Sequence, residues 1–422
     1  MNPSRFFVFA LALSLAQFSP ATVVKAKGEF NVRAYGATGD GTTKDTAAFQ
    51  KALDACAAGG GGKVMVPAGD YQIGSIVLGE NTTLQLASRA YLVGSPDIAD
   101  YPMTQVRFEG EFGPGHRALI SAERKDDVAI VGRGFIIGPP LTLSLLRNPR
   151  GPVLIEFTGC TNVTLDGFTT QYQRLWSIHP LFCQKVVAKN LTIRSVAVNG
   201  DGIDVDSCRD VLIEHCDINT GDDAIALKSG RGLAAVRLNR PTEDVTIKDC
   251  TLASSTFAGL AVGTELSGGI RNVEVEDCLL SGRQNGIFLK SRDGRGGYIE
   301  NFTGKNLTVR NSPTFLDISL LKLGIQASDP VTADPEKWTQ LSHIRFDHIR
   351  VDNVAHLVLA HDIPSQRPVN DFSLTDVQGT CAQALNLANM TNVVLADIRV
   401  TGYHGPFLTK VNVQGRGLAH PN

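Results

Sequence analysis

The chain has 422 residues, with 40 Lys and Arg against 42 Asp and Glu, and a formal net charge of −2. That near balance, with both signs interspersed, gives no electrostatic reason to expect nucleic acid or a membrane surface as a partner. Length alone would allow two or three domains, but no Pro/Ser-rich linker, charge block or low-complexity stretch divides the chain, so residues 27–422 read as one elongated domain.

Residues 1–26 place Arg5 ahead of an apolar run, Phe6 to Ala16, and end in the small-residue exit Val24-Lys25-Ala26. This is the pattern of a secretory signal peptide. The run is about 11 residues, short of the ~20 that cross a bilayer as a helix. The expectation is therefore an exported protein, secreted or periplasmic, with no membrane span. Next, Asp45 to Ala57 carries a helical stripe of Ala47, Ala48, Phe49, Ala52, Leu53 and Cys56, stopped by Gly59-Gly60-Gly61-Gly62. The glycine run follows a helix and lacks Gly-Lys-Ser/Thr, so it reads as a helix stop and not a phosphate loop.

From about residue 160 a short phrase recurs: a polar residue, a β-branched or aromatic one, any residue, then an aliphatic one. Copies begin at Asn162, Asp210, Asp244, Asn272, His343 and Asn392, with looser ones at Lys185, Asn301 and Asp371. Most are about 21 to 34 residues apart, the interval of one solenoid turn. Apolar residues alternate within each copy, and Gly, Asn and Asp fill the turns between. The predicted fold is all-β: a single-stranded parallel β-helix whose exposed N-terminal end is covered by the short helix. Export permits disulfides, yet Cys216, Cys250 and Cys278 fall at one place in the repeat, so an interior ladder of thiols is expected instead. The triplets at Asn162, Asn190 and Asn306 sit on the same repeat and are weak glycosylation signals.

The most informative stretch is Asn199-Gly200-Asp201-Gly202-Ile203-Asp204, followed one turn later by Gly221-Asp222-Asp223. Carboxylates on consecutive coils would crowd one outer patch, raising the pKa of at least one and keeping it protonated as a general acid while another stays a base. A calcium site from the same carboxylates is the alternative. The nine His offer no close pair at ligand spacing, so neither a metal nor an organic cofactor is expected.

Phe30 to Ala37 with Asp40-Gly41-Thr42 resembles the opening of pectin lyase-like proteins, which implies that the coil is right-handed. The Asp motifs, with Trp176-Ser177-Ile178-His179-Pro180 upstream and Gly263 to Gly269 downstream, resemble glycoside hydrolase family 28, the polygalacturonases. The resemblance implies inverting hydrolysis of a galacturonic-acid-containing pectic polysaccharide by a monomer. It makes Asp222 the general acid and gives Asp201 and Asp223 the attacking water. It also implies that Lys290 binds a uronate carboxylate, with Asn199, Arg292, Arg295 and His179 as further groove residues.

Two positions depart from the family pattern. The histidine of its Gly-His-Gly motif falls at Phe257, and the arginine of its Arg-Ile-Lys motif at Phe288. A phenyl ring donates no hydrogen bond but covers the apolar face of a less acidic sugar. Rhamnogalacturonan hydrolases of the family share both losses, which points to rhamnose near Phe257 or Phe288. A polysaccharide lyase on the same fold and a non-catalytic carbohydrate-binding β-helix are the rival readings.

Overall fold

The computed structural model describes residues 28–139, 149–322 and 336–419, and the expected signal peptide lies outside them. The chain forms a right-handed parallel β-helix: among the described residues 31 strands join in one sheet system, and the pairings inside it are parallel. Each middle coil supplies three short strands, such as Ile178–Leu181, Gln184–Lys189 and Thr192–Arg194. Each of these pairs with its counterpart one coil on.

The repeat phrase explains this register. Its apolar second position stacks coil on coil, Val163 on Val186, Val211, Val245, Val273, Phe302, Ile344 and Phe372. All of these are buried. Its polar first position turns the chain. Asn162, Lys185, Asp210, Asp244, Asn272, Asn301, His343, Asp371 and Asn392 all have φ near +55° to +60°. Asn and Asp tolerate this left-handed geometry best among residues with a side chain. Stacked amides then satisfy one another, Asn272 donating to Asp244 at 2.8 Å and Asn301 to Asn272 at 3.0 Å.

All eight cysteines are buried and free. Cys216, Cys250 and Cys278 lie on successive coils, each thiol donating to a backbone carbonyl of its own or the previous coil. The helix Thr46–Ala58 covers the N-terminal end with Ala48, Phe49, Ala52, Leu53 and Cys56. Burying Phe49 and Leu53 stabilises this cap by about 1.5–3 kcal/mol each.

One sheet face forms the floor on which the site is built, and its outward residues run in columns across the coils. The first column is Glu156, His179, Asp204, Ala226, Ala261, Phe288, Asp317, Leu359 and Asn386. Beside it, Asp206 pairs with Lys228, and Lys290 pairs with Ser319, which pairs with His361. An antiparallel hairpin, Met103–Phe108 with Glu111–His116, leaves the coil and folds over this face. A short helix, Gly232–Leu238, stands at its tip.

Candidate active site

Asp201 immediately precedes the floor strand Ile203–Asp206, and Asp222 and Asp223 precede the next, Ile225–Lys228. Coil stacking therefore brings residues about one repeat apart into contact. Each of the three carboxylates has an oxygen within 4.8 Å of the others. Two O–H···O contacts of about 2.8 Å span up to ~5.6 Å, so one water can bond any two of these oxygens at once. The carboxylates are closer than the ~6.5–9.5 Å usual for an inverting acid and base, because adjacent coils hold them and no longer loop separates them.

Their environments differ. Asp223 is ion-paired, with Lys290 Nζ 2.8 Å from Oδ2, and its Oδ1 accepts the Ala258 N–H at 3.1 Å. Asp222 accepts N–H groups from Asn199 at 3.0 Å and Asp223 at 2.9 Å, yet burial and the Asp223 charge together raise its pKa. Asp201 is raised further, by burial and then by Asp204 and Asp222. The site thus holds two carboxyls biased toward the protonated form beside one paired with a lysine. These three could also gather a cation, but Lys290 already supplies positive charge to Asp223.

The other expected residues divide by position. Lys290 and half-buried Phe257 face the carboxylates, with the ammonium 5.8 Å from the Phe257 ring centroid and 5.5 Å from that of Phe288. Phe288 is largely buried on Ala258 and Ala261 as part of the floor. Asn199 reaches Asp222 through its backbone, in a left-handed conformation. Arg292 is half-buried in the turn that bridges to Lys322.

Two expectations need correction. Arg295 is fully buried, its carbonyl accepting the Ser267 hydroxyl at 2.6 Å and its charge facing Glu265, so no sugar reaches it. His179 is fully buried as well: Nδ1 lies 2.9 Å from Glu156 and Nε2 3.9 Å from Asp206. Burial opposes its protonation, but Asp206 and Glu156 outweigh that and push its pKa up to about 9.

Sequence reasoning also missed the charged layer beneath the carboxylates. Lys228 is buried, 2.7 Å from Asp204 and 3.8 Å from Asp201, with its ammonium 3.7 Å from the Trp176 ring centroid. Burial opposes the charge, but Asp204, Glu265 and Asp201 hold the ammonium protonated. Arg107 comes from the hairpin, its Nε 3.1 Å from Asp206. A carbon at Gly230, whose φ is +72°, would lie 1.8 Å from the Arg107 guanidinium, so only glycine fits there. Period-two alternation gives no sign that a lysine within a strand will be buried. A partner about a hundred residues away leaves no local trace.

The model of Glycosyl hydrolases family 28 matches residues 56–394. The chain is 30% identical over 361 residues to a probable polygalacturonase of Vitis vinifera, covering 81% of this chain and 72% of that protein. It is 26% identical over 334 residues to an exo-poly-alpha-D-galacturonosidase of Dickeya chrysanthemi, covering 67% of this chain and 55% of that one. An exopolygalacturonase structure from Thermotoga maritima superposes with a TM-score of 0.76 at 23% identity, covering 92% of both chains, and shares the fold. With the carboxylates gathered on adjacent coils of a parallel β-helix and a family match across most of the sequence, this chain belongs to glycosyl hydrolase family 28 and is a glycosidase.

Proposed function

We propose that this enzyme hydrolyses a galacturonic-acid-containing pectic polysaccharide with inversion, Asp222 protonating the leaving glycosidic oxygen while Asp201 and Asp223 hold the attacking water and Asp223, paired with Lys290, takes its proton. The observation that carries the reading is the triad of carboxylates beside Lys290, a cation suited to a uronate. The relatives named as acting on polygalacturonate add to it. Burial and like charge favour a protonated Asp222, as a general acid requires. The short spacing still admits one bridging water, and the anomer released first, read by proton NMR, tests inversion directly.

The sugar beside Phe257 is proposed to be neutral and deoxygenated, such as rhamnose. A half-exposed ring covers an apolar sugar face and donates no hydrogen bond. The leader pattern of residues 1–26 places the enzyme outside the cytoplasm in this reading. Among the described residues no helix is long and apolar enough to cross a membrane.

The deciding experiment treats polygalacturonate and debranched rhamnogalacturonan with the purified protein and with Asp222→Asn, following reducing ends and ultraviolet absorbance together. New reducing ends without absorbance, abolished in the variant, are expected, with rhamnogalacturonan the better substrate. Absorbance would identify a lyase, and activity confined to polygalacturonate would sink the rhamnose assignment.

A further inference from the structure

We infer that the enzyme works from chain ends: the hairpin Met103–His116 closes the groove one coil before the catalytic carboxylates, so a polymer enters only as a free end and lies toward Lys290 and His361. The inference rests on the hydrolytic reading of Asp201, Asp222 and Asp223. It is carried by where the hairpin touches the floor.

Trp176 precedes its floor strand by two residues, as Asp201 and Asp223 precede theirs, so it marks one edge of the floor one coil upstream of Asp201. Phe182 and Asp206 mark the other edge. The hairpin touches both. Phe108 packs on Trp176 with ring centroids 5.3 Å apart. Arg107 lies over the Phe182 ring at 4.9 Å and is ion-paired with Asp206 one coil on, while Phe112 packs on Phe182 at 6.2 Å. The hairpin therefore crosses the full width of the groove at the coil of Trp176 and Phe182, and from there Arg107 and Glu111 reach Asp206 and Arg231 along one edge of the next two coils. At its tip, Glu111 pairs with Arg231, which tethers it to the turn before Gly232–Leu238.

The barrier is also close to the chemistry. Trp176 contacts Lys228 at 3.7 Å, and Lys228 lies 3.8 Å from Asp201. One coil advances the floor by about 4.8 Å, comparable to one pyranose ring, so the closed side holds one or two sugars. Exposure along the first column agrees. His179 and Asp204 are at 0%, Phe288 at 5% and Asp317 at 9%; Leu359 is half-buried and Asn386 exposed. In the next column the His361 side chain is 40% exposed. Among the described residues the floor becomes more exposed from His179 toward Asn386, while Glu156, one coil upstream of His179, is half-buried.

The test follows viscosity, reducing ends and early product sizes in one digest of each polymer. The expected result is mono- or disaccharide from the first time points, with viscosity loss lagging behind bond cleavage. Early oligomers of intermediate length with collapsing viscosity would overturn chain-end action while leaving the hydrolase intact. No new reducing ends on any pectic polymer would overturn the hydrolase reading, and this inference with it. Removing the hairpin gives a second arm. The Arg117 N–H donates to the Pro102 carbonyl at 3.0 Å, so two glycines can replace Met103–His116. A folded variant should gain internal cleavage, and one still releasing only short products would show that the hairpin is not the barrier. Should that variant fail to fold, the wild-type product pattern decides alone.

Discussion

The two halves of the groove floor are built from equivalent strands on successive coils but differ in what lies on them. On the N-terminal half, Glu156, His179, Asp204, Asp206 and Lys228 form a layer of alternating charge sealed under the hairpin by Arg107 and Trp176. On the C-terminal half, His361 pairs with largely buried Asp317 and with Asp362, and Lys322 pairs with Asp362; here the two cationic side chains are in contact with water. Similar ion pairs therefore have different consequences. Buried pairs resist the loss of one partner because the other is left uncompensated, whereas exposed pairs are screened and contribute little.

The largest effect is expected at the boundary between the halves. Asp222→Asn should lower kcat by roughly 10²–10⁴-fold, the range for a lost general acid, while polymer affinity measured by calorimetry stays near wild type. Retained turnover would move the acid to Asp201, whose carboxyl is raised as well. Within the sealed half, Arg107→Met strands Asp206, which Arg107 and His179 keep ionised against its burial. A loss of about 3–5 kcal/mol is expected, read as a lower denaturant midpoint; an unchanged midpoint would equate the two halves.

The pH dependence of stability sharpens the contrast further. The folded pKa of His179, about 9, stands above its ordinary 6.5. Its contribution is fully present below pH 6.5 and is lost as pH rises toward 9, on the order of 3 kcal/mol. Unfolding titrations should show that slope, and His179→Gln should flatten it. The smallest effect belongs to the open half: His361→Ala should change stability by less than about 1 kcal/mol, and thermal melts showing more would reveal a buried role for the Asp317 pair.

Much of the coil was legible because its physics is local. A polar residue able to take positive φ, followed by alternating apolar residues, specifies a turn and a strand within four positions, and Asn162, Asp210 and Asn272 do so in this chain. The carboxylates were legible because their interval matches one turn. Arg295 misled because it follows Lys290 closely in sequence, yet the turn through Gly294 and Gly296 directs it inward. Which part of the floor the hairpin covers was not legible, because Arg107 and Asp206 meet only once the intervening coils are wound. Nothing at residues 101–117 alone encodes which part of the floor they will cover.

The buried thiols carry a different consequence. With eight cysteines inside the coil and none joined, maturation of this protein asks nothing of the thiol oxidants that secreted domains commonly rely on. The coil is held by burial and hydrogen bonds, with no thiol oxidation among its parts. In the reading of residues 1–26 as a leader, no disulfide among the described residues ties folding to export.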